Sequence, residues 1–409
     1  MNKNAVAVFH SNDVVVTGAD STLPFHQQKD LFYLSGIDQE ESILILFTDT
    51  QKEKHQEILF ITRTNEQLAT WEGAKLSKEQ AKETSGIQTI YWTDAFESIL
   101  FKLMAQSTSI YLNANERNGR FQSVATRQDR FISTVKKSFP AHKYERSYPI
   151  LNKLRGVKES EEIELIQQAC NITKKGFRRV LSFTKPGVTE FEVEAEYAHE
   201  FIRNRAGGFA YQPIVASGKN GCVLHYIKNN KICQEGDLLL MDVGAAYANY
   251  CSDMTRTIPV SGIFTKRQKA VYEAVLRVKK LAAEMLVSGA VLKACEQEVG
   301  EIMNSELLGL KLLDKAAISN QYPENPAYRK YFMHGTFHHL GLDTHDYGET
   351  QVPLQAGMVL TVEPGIYIPE EEIAIRLEDD VVIQPAGAPK NLMSAIPIEA
   401  AEIEELMQS

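Results

Sequence analysis

Four of the chain's ten histidines fall within the thirteen-residue stretch HGTFHHLGLDTHD, at His334, His338, His339 and His345. Imidazoles at this density bind metal, move protons or do neither, and spacing is the first discriminator. A zinc-binding helix of the H-E-x-x-H kind needs a glutamate directly after its first histidine, and Gly335 stands there instead. Glycines at 335 and 341, with Thr336 and Phe337 between, predict an extended segment in which alternate residues share a face. His334 and His338 then point one way and His339 the other. No cysteine follows Cys295, so a metal shell here has to be completed by carboxylates.

Four carboxylates suit that role: Asp242 in LLLMDVG, Asp253 in YCSDMTRT, Glu363 in LTVEPGIY and Glu378 in IRLEDDVV. Each sits inside or at the end of an apolar run that reads as a strand, where an unpaired charge is costly to bury. Any one of them alone fits an ordinary ion pair; four together call for a common partner. A two-metal centre satisfies all four, because carboxylates can bridge two cations and make a water between them acidic near neutral pH. His338 supplies the single nitrogen ligand. A shell of oxygens with one imidazole suits Mn(II), with Co(II), Fe(II) or Zn(II) as alternatives. His339, on the opposite face, reads as a packing or surface residue, as do His10, His26, His55, His142 and His199, and Glu370-Glu371-Glu372 reads as a solvated turn.

The elements that must position these groups are legible in outline. Residues 1–150 alternate strands with helical stretches, ESILILFTD and HQEILFITR among them, the pattern of an α/β domain. A clearly amphipathic helix begins in ILNKLRGVKESEEIELIQQACNITKKGF, with Ile163, Ile166, Ala169 and Ile172 on one face, and 151–409 forms a second domain of α+β type. Capping boxes at Thr189–Glu192 and Thr265–Gln268 start two further helices, the first predicted to run to Gly207-Gly208. In both halves of this second domain a long helix, a PG or SG break, a second helix and a group of strands follow in turn. A helix–helix–sheet unit repeated twice would bring the two acidic strand groups together.

At 409 residues the chain is long enough for two or three domains, and 44% hydrophobic with 24% charged residues is a globular composition. A net charge of −9 offers no electrostatic footprint for nucleic acid. No apolar run approaches the roughly 18 residues of a membrane span, and the one near the N-terminus is too short for a signal peptide. Five cysteines, an odd number without a CxxC pair, suit reduced thiols, and a cytoplasmic location is expected.

Taken in order, VLHYIKNN, MDVGAAYANYCSDMTRTIPVSGIFTKRQKAVYEAV, FMHGTFHHLGLDTHDYG, GMVLTVEPGIYI and AIRLEDDVVI resemble the metal-dependent Xaa-Pro aminopeptidases (aminopeptidase P) and their prolidase relatives. LPFHQQKDLFYLSGI is similar to the N-terminal domain that accompanies the catalytic one in aminopeptidase P. The resemblance implies a pita-bread catalytic domain with a pseudo-twofold internal repeat, hydrolysis of the bond before proline, and a homodimer or higher oligomer. It places Asp242 on one metal, Asp253 and Glu378 between both, and His338 with Glu363 on the other, Glu363 also shuttling a proton. His225, His334 and His345 match histidines that contact substrate, while Arg376 and Tyr367 match residues that brace the Asp242 carboxylate. Cleavage of Xaa-Pro dipeptides alone, as in prolidase, is the nearest alternative, and an inactive peptide-binding module a remoter one. His339 stands where aminopeptidase P often carries tryptophan, and neither lysine nor arginine occurs between His345 and Arg376.

Overall fold

The computed structural model describes residues 1–48, 56–116, 124–322 and 324–409. They divide into two compact units, Met1–Asn152 and Lys153–Ser409. Strands β1 (Ala5–His10), β2 (Ile43–Phe47), β3 (Glu57–Ile61), β4 (Thr89–Trp92), β5 (Ser109–Leu112) and β6 (Lys143–Arg146) form the sheet of the first unit, in the order β4-β3-β2-β1-β5-β6. The apolar runs read as strands supply β2 and β3, which pair antiparallel with Ile45 opposite Ile58. Strand β1 is buried along its whole length, as a central strand covered on both faces must be. Helices α1 (Lys29–Ser35), α2 (Glu66–Glu72), α3 (Lys78–Ser85), α4 (Phe96–Met104) and α5 (Arg127–Ser138) alternate with the strands, and Val8, Ile45, Phe60, Leu103 and Val135 share one core. His10 packs inside this unit with Nδ1 3.1 Å from Gln128 Oε1, His142 reaches Met104 O at 2.8 Å, and His55 lies outside the described residues.

The amphipathic stretch that opens the second unit is not one helix. Helix α6 (Tyr148–Gly156) ends before Val157, and α7 (Ser160–Phe183) starts afresh because Glu159 and Glu162 form a reciprocal cap. Ile166, Ala169 and Ile172 are buried along α7, and Ile163 is half-buried. The Thr189–Glu192 box starts α8 (Glu190–Arg203), which stops short of the predicted glycine pair because the Asn204 side chain donates to Glu200 O at 2.8 Å and caps the last turn. The Thr265–Gln268 box starts α9 (Lys266–Glu284), and Ser288-Gly289 separates it from α10 (Leu292–Gly309).

Between α8 and α9 run β7 (Gly208–Phe209), β8 (Ile214–Ser217), β9 (Leu238–Val243), β10 (Ala245–Tyr247), β11 (Tyr250–Cys251) and β12 (Met254–Pro259). After α10 come β13 (Val359–Val362), β14 (Gly365–Ile368), β15 (Ile373–Arg376), β16 (Asp379–Val382) and β17 (Lys390–Asn391). Two three-stranded sheets, β12-β9-β8 and β13-β16-β17, and the β14-β15 pair carry the site. The predicted solvated turn at Glu370–Glu372 is a tight turn between β14 and β15, with Glu371 paired to Arg267.

Candidate metal centre

Every candidate carboxylate sits where a strand ends. Asp242 is the penultimate residue of β9, Asp253 immediately precedes β12, Glu363 follows β13, and Glu378 occupies the step from β15 to β16. Main-chain N–H donors fix these corners: Glu378 N donates to Thr255 O at 3.0 Å, Glu363 N to Thr336 O at 2.9 Å, and Asp253 N to the Asp380 side chain at Oδ2, 3.0 Å away.

The segment HGTFHH bends at His334 and Thr336, and only His339 forms a bridge, with Leu360. One edge of the segment borders β13, where Thr361 N donates to His338 O at 2.9 Å. On the other edge Glu296, from α10, accepts from Thr336 N at 2.7 Å, Thr336 Oγ1 at 2.9 Å and Phe337 N at 3.1 Å. A buried backbone without a ladder partner needs such an acceptor. The predicted facing survives the irregularity. His334 and His338 line the cavity, whereas the buried His339 turns away with its ring against Gly348, where a Cβ would come within 2.0 Å of it.

All the residues predicted for the site except Tyr367 line a single cavity of about 560 Å³. His338 Nε2 lies 3.4 Å from Asp253 Oδ2, 3.6 Å from Glu363 Oε1 and 4.0 Å from Glu378 Oε1. Donor atoms of Asp253, His338 and Glu378 all fall within 4.8 Å of one another. His345 stacks on His338, ring centroids 4.1 Å apart and 10° from parallel, and His225 stands on the exposed rim.

Behind the wall, Arg376 reaches three groups: Nη2 donates to Asp242 Oδ2 at 2.6 Å, Nη1 to Tyr367 OH at 2.8 Å, and Nε to Thr255 Oγ1 at 3.1 Å. Thr255 then donates to Glu378 Oε2 at 2.6 Å. Having accepted from Arg376, the Tyr367 hydroxyl donates to His334 Nε2 at 2.8 Å, which leaves the His334 proton on Nδ1, facing Gly335 O at 2.8 Å. Burial, reinforced by the Arg376 charge, holds His334 down at about 4, so its ring is neutral. Tyr367, wholly buried, is thus both core aromatic and link in this chain.

The donor set fits divalent cations. Burial pushes the Glu363 carboxyl up to about 7 despite the pull of His338 and Arg376, and burial together with the neighbouring carboxylates raises Asp253 and takes Glu378 well above the ordinary range. The His338 pKa also rises, here favouring the charged form: burial opposes its charge, but Asp253 and Glu363 outweigh that and lift it to about 9. Among the described residues Arg376 is the only lysine or arginine on the cavity wall. Four carboxylates thus share one wall with a single arginine, and their hard oxygens are donors that divalent cations take.

Residues 164–385 match the family model described as metallopeptidase family M24, and residues 1–111 match the aminopeptidase P N-terminal domain. The chain belongs to metallopeptidase family M24. It is 36% identical to a Xaa-Pro aminopeptidase of Haemophilus influenzae across 100% of this chain and 94% of that one, and 33% identical to the Escherichia coli Xaa-Pro aminopeptidase with the same coverage. Among solved structures, proline aminopeptidase P II from Yersinia pestis superposes with a TM-score of 0.88 at 31% identity, covering 100% of this chain and 96% of that one. A zinc-substituted E. coli aminopeptidase P in complex with product gives the same TM-score at 30% identity, covering 100% and 95%. The M24 membership and the aminopeptidase P type of N-terminal domain bear out the resemblance carried by the motifs. No helix among the described residues is long and apolar enough to cross a membrane.

Two residues of the M24 site, Tyr211 on the cavity wall and Thr255 behind it, escape a reading of the sequence. Tyr211 OH lies 2.6 Å from Asp242 Oδ1 and 2.5 Å from Asp253 Oδ1, its one proton shared between two carboxylates. Nothing local in AYQPIV announces this; only the sheet pairing of Ile214 with Asp242 brings it there. Thr255 carried a usable signal, since it shares a strand face with Asp253 two residues earlier.

Proposed function

We propose that the chain removes the N-terminal residue from peptides whose second residue is proline, as a metallo-exopeptidase acting with two divalent cations. What carries the reading is the convergence of Asp242, Asp253, His338, Glu363 and Glu378 on one cavity that three further histidines, His225, His334 and His345, also face. In this proposal Asp242 would hold one cation, His338 and Glu363 would hold the other, and Asp253 and Glu378 would serve both. Manganese is the proposed ion, because one imidazole among carboxylates is a predominantly hard shell. Cations there supply Lewis acidity toward the scissile carbonyl and lower the pKa of water.

The chain's own residues do the rest. The Glu363 carboxylate takes the proton from the attacking water and returns it to the leaving proline nitrogen. His225 and His345 present ring nitrogens to the peptide carbonyls. His334, with both nitrogens engaged, keeps its neutral ring against the substrate and passes its orientation to Arg376 through Tyr367. Proline, lacking an N–H, asks for a pocket shaped to its ring, and Ile214, Leu224, Ile227 and Phe337 provide apolar lining.

The proposal extends to organisation. Residues 1–150 form the N-terminal domain and 151–409 a pita-bread catalytic domain, supported by the two compact units. The repeated order of long helix, glycine break, second helix and strands supports a pseudo-twofold arrangement. A homodimer or higher oligomer and a cytoplasmic location complete the reading, the latter supported by five cysteines none of which forms a disulfide. Protein loaded with Mn(II) is offered Ala-Pro and Ala-Pro-Ala side by side, with a chelated control, and products are weighed by mass spectrometry. Alanine plus Pro-Ala is the expected result; cleavage of the dipeptide alone would make it a prolidase, and silence on both with metal bound would overturn the peptidase reading.

A further inference from the structure

The loop from Gly341 to Gly348 carries Thr344 and His345 to the cavity, yet it contains no regular element. A segment that presents a ring to substrate needs its backbone fixed by something other than a ladder. Behind the loop lie two basic residues from the sequence RGVK, Arg155 in the last turn of α6 and Lys158 between α6 and α7, that play no part in the centre described above. Arg155 is 2% exposed and Lys158 1% exposed, both at their side chains. Arg155 Nη2 donates to Asp346 Oδ1 at 2.6 Å and to Asp343 Oδ2 at 2.8 Å, and its guanidinium lies 4.2 Å from the centre of the Tyr347 ring. Lys158 Nζ pairs with the other oxygen of Asp346, Oδ2, at 3.1 Å.

We infer that Asp346, gripped by Arg155 and Lys158, is a positioning residue for catalysis that sets His345 against His338 and the cavity. Three observations fit this role better than plain support of the fold. Asp346 is adjacent to His345, so anchoring its carboxylate restrains the backbone that carries that ring. Its seat is tight: a Cβ on Gly341 would come within 2.1 Å of Asp346 Oδ2 and 2.8 Å of Lys158 Cε, so the loop closes only with glycine there. The clamp is also tied to the strand that leads to the metal ligands, because Lys158 N donates to Gly357 O at 2.9 Å, just before β13, while Asp346 N donates to His339 O at 2.8 Å. Two buried cations on one buried carboxylate leave that carboxylate nothing to gain by moving, and although burial alone would raise its pKa, Lys158 and Arg155 hold it below the usual range.

This inference rests on the peptidase reading, and a double-mutant cycle separates the two. Kinetics on Ala-Pro-Ala with saturating Mn(II), metal content and thermal midpoint are measured for the unmodified protein, Asp346→Asn, His345→Ala and the pair, with Arg155→Lys as a gentler perturbation. Asp346→Asn is expected to keep its metal and lose about tenfold or more in kcat, an effect that shrinks to about twofold or less in the His345→Ala background. Arg155→Lys, which keeps the charge but loses the two-carboxylate reach, is expected to show a smaller loss in kcat with a folded midpoint. Equal kcat losses from Asp346→Asn in both backgrounds would overturn the inference, as would unaltered kcat in folded Arg155→Lys. If His345→Ala alone leaves kcat untouched, it is the assignment of His345 in the peptidase reading that fails.

Discussion

Replacing Arg376 by lysine keeps a positive charge beside Asp242 but removes the planar fork. One ammonium cannot occupy the places of Nη2, Nη1 and Nε, which bond Asp242, Tyr367 and Thr255 at 2.6, 2.8 and 3.1 Å. Two of the three contacts are lost, and through Thr255 the orientation of Glu378 goes with them. Outer bonds of this kind are worth roughly 10–100-fold in metal affinity, which is about 1.4–2.8 kcal/mol. Metal release in competition with a chromophoric chelator reads that loss directly, and kcat at saturating Mn(II) reads what misorientation remains. The expected pattern is weaker metal binding, a lowered kcat that excess metal does not fully restore, and a smaller effect from Tyr367→Phe, which removes one partner only. Metal affinity and kcat both equal to those of the parent protein would refute the idea that the Arg376 fork orients the centre.

Crowding makes a second result counterintuitive. Burial and neighbouring carboxylates raise the folded pKa of Glu378 above its unfolded value, so at neutral pH its charge opposes folding; Glu378→Gln should melt higher than the parent when both are metal-free, by about 2–4 °C per kcal/mol relieved, while losing metal and activity. Scanning both proteins in a chelator decides it. Mn(II) at about one hundred times its Kd should stabilise the parent by about 2.7 kcal/mol and leave Asp253→Ala unmoved, which calorimetry with and without metal will show. In the first unit burial lowers His10 from 6.5 to about 4; a base depressed in the folded state contributes stability that is full above 6.5 and is lost as pH falls toward 4, because the unfolded chain takes the proton first. The loss approaches about 3 kcal/mol. Chemical denaturation of the parent and His10→Gln across that window should show the parent's steeper decline.

Much of the centre was legible because its parts break local rules. Asp242, Asp253, Glu363 and Glu378 interrupt apolar strands, and a carboxylate there is costly without a partner. His338 could be oriented toward the cavity and His339 away from it, although the bent segment does not alternate strictly, since Phe337 lines the cavity as well. Tyr211 stayed hidden because its partners lie 31 and 42 residues away and a tyrosine before a strand is unremarkable in itself. Glu296 and Asp346 stayed hidden for a related reason: acidic residues in a helix and a loop look solvent-facing until the fold closes over them. Helix starts were readable from capping boxes, whereas the break between α6 and α7 and the early stop of α8 depend on side chains, Glu159 and Asn204, that compete with the amphipathic pattern.

The corners that present Asp253, Glu363 and Glu378 are closed by their main-chain N–H groups, which donate to the Asp380 carboxylate and to the Thr336 and Thr255 carbonyls, none of which involves a metal. The geometry of the site is therefore stored in the sheets rather than created by the ions. In the proposed peptidase, stripping and reloading metal should then be cycles of ion exchange on a standing scaffold rather than cycles of refolding.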